Sequence, residues 1–148
     1  MSSYGRWGRI SVASGTDPIS GSEASYVPPS NRIFKVKSVH ATMYANSGSS
    51  GTARSPYIEV TGSGGLSLYK VYSGHDYISG SGTIDYYWLS GLGDSTLHTG
   101  SAIVVTGFPT DVVIDGKCAV KTTTTNFDDE DNWAGLILFV EEFLTDSV

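Results

Sequence analysis

The sequence predicts an all-β protein, a β-sandwich and more specifically a jelly roll of about eight antiparallel strands. Short runs rich in Val, Ile, Tyr, Phe and Thr recur along the chain, and glycine- or proline-containing turns separate them. No segment has the 3.6-residue apolar period of an amphipathic helix. No internal repeat of fixed length is visible, which argues against a propeller or a solenoid.

The composition is typical of a single domain of this class. The chain has 148 residues, and a domain of that size buries roughly two thirds of its unfolded surface. Only 16% of the residues are charged, so hydroxyl and backbone groups supply much of the polarity. The net charge of −6 argues against nucleic-acid binding, because the phosphate backbone attracts basic surfaces.

Charge is unevenly distributed along the chain. The basic residues near the start are Arg6, Arg9, Arg32, Lys35 and Lys37. The acidic residues near the end are Asp111, Asp115, the run 128–131, Glu141, Glu142 and Asp146. We expect the two sets to pair within the fold or between neighbouring subunits.

Residues 1–30 are predicted to form an extended N-terminal arm, and residues 31–148 the sandwich domain. Pro28-Pro29 ends the arm and imposes an extended backbone at the entry to the sandwich. The arm residues expected to contact a partner are Tyr4, Trp7 and Arg9. A frayed terminus is the alternative. The first residues contain no apolar segment, so we expect no signal peptide.

The first long strand is predicted over Ile33 to Tyr44. Its apolar residues change phase near Lys37-Ser38, which predicts a β-bulge there. Farther along the chain, residues 57–61 and 66–72 flank a glycine-rich turn and predict a hairpin. Asp115-Gly116 is a dipeptide favoured in type I′ turns, so residues 112–114 and 118–125 are expected to pair with each other.

Residues 133–143 form the longest apolar run and are predicted to be a strand, with a helix as the rival. One side of that strand carries Gly135, Ile137 and Phe139, and the other carries Ala134, Leu136, Leu138 and Val140. Both sides therefore require cover, either as a central strand or at a subunit interface. The run is shorter than the roughly 20 residues that span a membrane, so no membrane partner is expected.

No motif predicts an enzyme, so we expect no catalytic residue, cofactor or metal. The sequence lacks a nucleophile elbow, a phosphate-binding loop and metal-binding His or Cys spacings. His40, His75 and His98 are far apart in sequence, and each is interpreted as an ordinary strand or loop residue. Cys118 is the sole cysteine, so no intrachain disulfide can form; it is interpreted as a small hydrophobic residue.

Two clusters leave alternatives open. Residues 128–132 (DDEDN) are either a solvated acidic turn or a Ca²⁺ site, although they lack the spacing of an EF-hand loop. Tyr86, Tyr87 and Trp88 form either a core or subunit-interface strand, or an aromatic platform for sugar. Tyr86 and Trp88 would share one side of a strand with Ile84, which favours the core or interface.

Three segments resemble small virion proteins of tailed bacteriophages. They are residues 26–36 (YVPPSNRIFKV), residues 108–117 (FPTDVVIDGK) and the terminal apolar run ending in Glu141-Glu142. The resemblance spans most of residues 26–144. It implies a β-sandwich that decorates or cements a capsid, or belongs to the tail or neck, usually as a symmetric oligomer. No catalytic residue is carried over.

The function expected from this resemblance is non-enzymatic capsid decoration. The partners would be the major capsid protein and further copies of the chain, as a homotrimer bound across seams between capsid subunits. The protein would be made in the host cytoplasm and located on the virion surface. A tail, neck or receptor-binding module that binds carbohydrate is the alternative, and a metal-dependent cupin-like enzyme is a third hypothesis.

Overall fold

The computed structural model describes residues 8–46, 53–73, 77–78, 82–92, 97–98 and 103–145. These residues form a β-sandwich, so the prediction of an all-β protein is confirmed. One 3-10 turn, Ser63–Gly65, is the helical structure among them. The strands are β1 (Arg9–Ser14), β2 (Ser25–Tyr26), β3 (Arg32–Ala45), β4 (Ala53–Thr61), β5 (Ser67–Tyr72), β6 (Tyr77–Ile78), β7 (Gly82–Ser90), β8 (Leu97–His98), β9 (Ile103–Phe108), β10 (Val113–Asp115), β11 (Ala119–Thr125), β12 (Asn132–Trp133) and β13 (Ile137–Leu144).

The strands form two sheets. The larger sheet has the order β1-β13-β3-β7-β9-β8, and both β10 and β12 also pair with β3. The smaller sheet has the order β2-β11-β4-β5, and β6 also pairs with β4. β7 and β9 are parallel, which corrects the expectation that all strands pair antiparallel. A parallel pair requires a long connection, and residues 91–102 join these two strands. The jelly-roll order is not confirmed.

The core lies between the two sheets. Strands alternate, so every second side chain points inward. Trp88, Trp133, Tyr86, Leu138 and Val140 are among the side chains with no solvent exposure. The Tyr86 ring lies 5.7 Å, centroid to centroid, from both Trp88 and Trp133. This aromatic cluster joins β7 and β12, which both pair with β3 in the larger sheet.

The described part of the predicted N-terminal arm belongs to the sandwich. β1 pairs with β13 along its whole length, and β2 pairs with β11. Ala24, between these two strands, is fully buried. The boundary predicted at residue 30 therefore does not separate a free arm from the sandwich over residues 8–30. Pairing of β1 depends on a strand at the far end of the chain, which no local pattern indicates.

Two local predictions are confirmed and one is wrong. The register of β13 on β3 shifts between Phe139 and Val140, opposite the predicted bulge at Lys37-Ser38. β4 and β5 pair as the predicted hairpin. The turn at Asp115-Gly116 is not a hairpin, because β10 pairs with β3 and β11 with β4. The Asp115 carboxylate accepts a hydrogen bond from the Lys117 amide (2.9 Å) in a turn that carries the chain between sheets. In the described residues, no helix is long and apolar enough to cross a lipid bilayer.

Candidate functional site

Large apolar side chains are exposed on the outer face of the larger sheet, at its β1–β13 end. Ile10 and Val12 on β1 are 56% and 62% exposed, and Ile137 and Phe139 on β13 are 40% and 42% exposed. Val12 lies directly opposite Phe139 in the register, and Ile10 lies opposite Glu141. These four apolar side chains, called here the outer apolar face, therefore form one patch on two adjacent strands.

The outer apolar face arises from the alternation of β13. Leu138 and Val140 point into the core and are fully buried, whereas Ile137 and Phe139 between them point outward. The prediction that both sides of this strand are covered is correct for the inner side only. Among the described residues, the outer side of β13 remains partly exposed, and contiguous exposed apolar patches are typical of interaction surfaces.

A stacked aromatic pair continues this surface toward β7. Ile137 is opposite His40 on β3, and His40 is opposite Tyr87. The His40 and Tyr87 rings are 4.4 Å apart and nearly parallel, at 10°. His40 Nε2 lies 3.4 Å from an Asp85 carboxylate oxygen, which also accepts a 2.6 Å hydrogen bond from the Thr42 hydroxyl. These contacts hold the two rings in place beside the outer apolar face.

Ion pairs lie on and around the strands that carry the outer apolar face. Lys37 Nζ lies 3.5 Å from Glu141, whose strand neighbour is Ile10. The Glu142 carboxylate is almost fully buried and pairs with Arg9 (3.1 Å) and with Arg32. Lys35 pairs with Asp111, and this contact raises the pKa of Lys35 and lowers that of Asp111. The predicted pairing of the basic start with the acidic end is thus confirmed within the fold.

The predicted site residues are not brought together. Arg9 is at the start of β1, bound to Glu142, and Tyr4 and Trp7 lie outside the described residues. Tyr86 and Trp88 have no exposed surface. Of the alternatives left open, the core is therefore the correct one for these two residues, and they offer no exposed surface for a glycan platform or an oligomer interface. Tyr87 points to the outer face because successive residues of a strand face opposite sides.

The acidic run 128–132 is a turn in which Asp129 and Glu130 are exposed, as predicted, but Asp131 belongs to a buried ion pair. Asp131 and Arg54 have no exposed side-chain surface, and Arg54 Nε lies 2.5 Å from the Asp131 carboxylate. That carboxylate also accepts hydrogen bonds from the amides of Asn46 (2.9 Å) and Asp128 (3.0 Å). Burial raises the pKa of Asp131, but the hydrogen bonds from Arg54 and the two amides outweigh it and bring the pKa below its ordinary value. Asp131 is thus a structural anion between the sheets.

Candidate metal ligands do not cluster in the part of the chain that the structure describes, where no group of three or more His, Cys, Asp or Glu side chains could hold an ion. Of the three histidines, His40 is the one whose side chain lies within the described part of the structure. His75 lies outside the described residues, and the side chain of His98 on β8 is also outside them.

The smaller sheet presents a second exposed feature, a pair of tyrosine rings on neighbouring strands. The Tyr57 and Tyr72 rings on β4 and β5 lie 5.0 Å apart and are tilted by 46°. Lys70 Nζ lies 5.4 Å from the centre of the Tyr57 ring, a cation–π arrangement. Tyr72 is 60% exposed. Once the pairing of β5 with β4 is known, the alternation of side chains along β5 indicates that Tyr72 and Tyr57 share one face of the sheet.

The residues that form the outer apolar face were only partly predictable as a surface from the sequence. The run 133–143 is apolar on both sides, which indicated an interface on β13. Ile10 and Val12 alternate with small or polar residues, but their position beside Phe139 depends on the pairing of β1 with β13.

Comparison of the chain with protein-family models, curated proteins and solved structures finds no match.

Proposed function

We propose that this protein is a non-enzymatic structural protein of a virion that decorates the capsid, and that it attaches to the shell through the outer apolar face. The observation that supports this most directly is the exposure of Ile10, Val12, Ile137 and Phe139 on one patch. Burying such side chains against a partner is favourable by about 25 cal/mol for each Å² of apolar surface removed from water.

The surroundings of the patch also favour a protein partner. Apolar residues at the centre of a patch and charged residues at its border are the arrangement found in protein–protein interfaces. Here the Lys37–Glu141 pair lies at the border, next to Ile10. A capsid presents many identical copies of the same surface, so an oligomer of this chain that contacts several of them at once gains avidity.

The location in the particle is tested by mass spectrometry of purified virions with copy-number determination. Hundreds of copies per virion are expected of a capsid decoration protein. A dozen copies or fewer would instead place the protein in the tail or neck. Absence of the protein from the virions would contradict the proposal as a whole.

The attachment surface is tested by adding purified protein to capsids that lack it. We expect Phe139→Ser to reduce occupancy, because it removes a 42%-exposed aromatic side chain from the patch with no loss of core packing. Leu68→Ser, on β5 of the opposite sheet and 49% exposed, is the matched control and should bind like the wild type. Equal occupancy of the two variants would refute attachment through the outer apolar face.

A receptor-binding module that recognises carbohydrate is the second candidate, supported by the Tyr57–Tyr72 pair. Exposed tyrosine rings can stack on sugar faces while their hydroxyl groups form hydrogen bonds. A glycan array tests this proposal. Selective binding that is lost in Tyr72→Ala, with the fold intact, would favour it; the absence of any selective binding would reject it.

A further inference from the structure

The outer edge of β1 has hydrogen-bonding groups that no strand of the described residues satisfies, since β1 is the terminal strand of the larger sheet. The Gly15 amide donates a 2.8 Å hydrogen bond to the Leu136 carbonyl, directly continuing the register in which Ser14 is opposite Ile137. Hydrogen-bonded residues alternate along an antiparallel pair. The backbone groups of Ser11 and Ala13 therefore face β13, and those of Ile10, Val12 and Ser14 face outward.

Apart from the charge of Arg9 at its first position, the β1 edge lacks the features that usually prevent pairing between molecules. Edge strands are normally very short, or they are interrupted by Lys, Pro or a bulge. β5, an edge of equal length in the smaller sheet, contains Lys70 at its centre and a register shift against β4. The edge strands β2 and β8 have two residues each. β1 has six residues, RISVAS, in continuous register and without Lys or Pro.

The sequence of β1 is complementary to itself about a two-fold axis at Ser11. In an antiparallel pair of two β1 strands centred there, Ile10 of one copy lies opposite Val12 of the other. Both side chains are on the outer face and more than half exposed. Arg9 lies opposite Ala13 of the other copy, so no like charges meet. The same register pairs the outward backbone groups of Ile10 with those of Val12, as hydrogen bonding requires.

We propose that the occupant of this edge is a second copy of the chain, paired antiparallel through β1. The larger sheet then continues across the two-fold axis, and the two outer apolar faces merge into one surface. Two-fold pairing of this kind is isologous and closed, so it produces a dimer and not a fibre. This dimer does not depend on the proposed virion function and can be tested on the purified protein.

The first test is Val12→Pro. Proline lacks an amide hydrogen, and the Val12 amide faces outward, so the change leaves the pairing of β1 with β13 intact. It removes two hydrogen bonds between the copies, one from each, and is expected to weaken the dimer about tenfold or more. Sedimentation equilibrium measures the dissociation constant of the dimer, and circular dichroism checks the fold. Val12→Ile, which keeps the amide and the apolar contact, is the control and should dimerise like the wild type.

The second test fixes the register and does not require proline to be tolerated. In a Cys118→Ser background, Ser11→Cys places two thiols on the axis, where opposed Cα atoms are about 4.5 Å apart, a distance that a disulfide spans. We expect mild oxidant to cross-link the Ser11→Cys variant rapidly and to produce no cross-link in the Arg9→Cys variant. The proposal would be overturned if the wild type were a monomer at all concentrations or a trimer. Equal cross-linking at both positions would also overturn it, as would a folded Val12→Pro variant that dimerises like Val12→Ile.

Discussion

Removal of the Asp131 carboxylate is expected to be one of the most destabilising single changes in this protein. Asp131→Ala leaves the Arg54 guanidinium buried without its anionic partner, and both side chains are fully buried. It also removes the acceptor of the Asn46 and Asp128 amides. Loss of one partner of a buried ion pair costs about 3–5 kcal/mol, out of a total stability of about 5–15 kcal/mol.

The corresponding decrease in melting temperature is about 6–20 °C, because 1 kcal/mol shifts the melting temperature of a domain of this size by about 2–4 °C. Calorimetry or thermal circular dichroism measures it. Asp129→Ala is the matched control: Asp129 is exposed, two residues away in the same loop, and its loss should change stability by no more than about 0.5 kcal/mol. Equal melting temperatures for the two variants would refute the structural role of Asp131.

The same ion pair predicts a pH dependence. The pKa of Asp131 in the folded protein lies below its ordinary value of 3.8. The charged carboxylate therefore contributes stability above about pH 4, and this contribution is lost as the pH falls through the folded pKa. The difference in unfolding free energy between the wild type and Asp131→Ala should shrink as the pH falls below about 4. A difference that stays constant down to about pH 2 would contradict this assignment.

Three further changes test other parts of the fold. Gly135→Ala should lower the melting temperature, because its Cβ would lie 2.4 Å from the Gly15 carbonyl oxygen; an unchanged value would show that the close approach is absent. Trp88→Ala should cost about 3–5 kcal/mol in urea unfolding, since the side chain is fully buried; a cost below about 1 kcal/mol would contradict that burial. Glu142→Ala should cost about 1.5–3 kcal/mol through loss of charge-assisted hydrogen bonds; stability equal to wild type in urea would show that its pairing with Arg32 contributes nothing.

Part of the proposed attachment surface was predictable from sequence. A strand that is apolar on both sides predicts an interface, and β13 has such a sequence. The structure shows that its own chain covers the side of Leu138 and Val140 only. The aromatic triplet was also partly predictable, because the alternation of Tyr86 and Trp88 with Ile84 favoured a core or interface strand, and both are core residues. Alternation indicated which residues share a face, but not which face the rest of the chain covers.

The sequence by itself determined the local features of this protein: its extended segments, the bulge at Lys37-Ser38 and the hairpin of β4 and β5. These depend on side-chain alternation and on turns of a few residues, which neighbours in the chain dictate. Only the tertiary structure decided that β1 pairs with β13, that β7 and β9 run parallel, and that Asp131 is buried against Arg54. Those outcomes join residues far apart in sequence, and their free energy comes from packing and desolvation that no local pattern records.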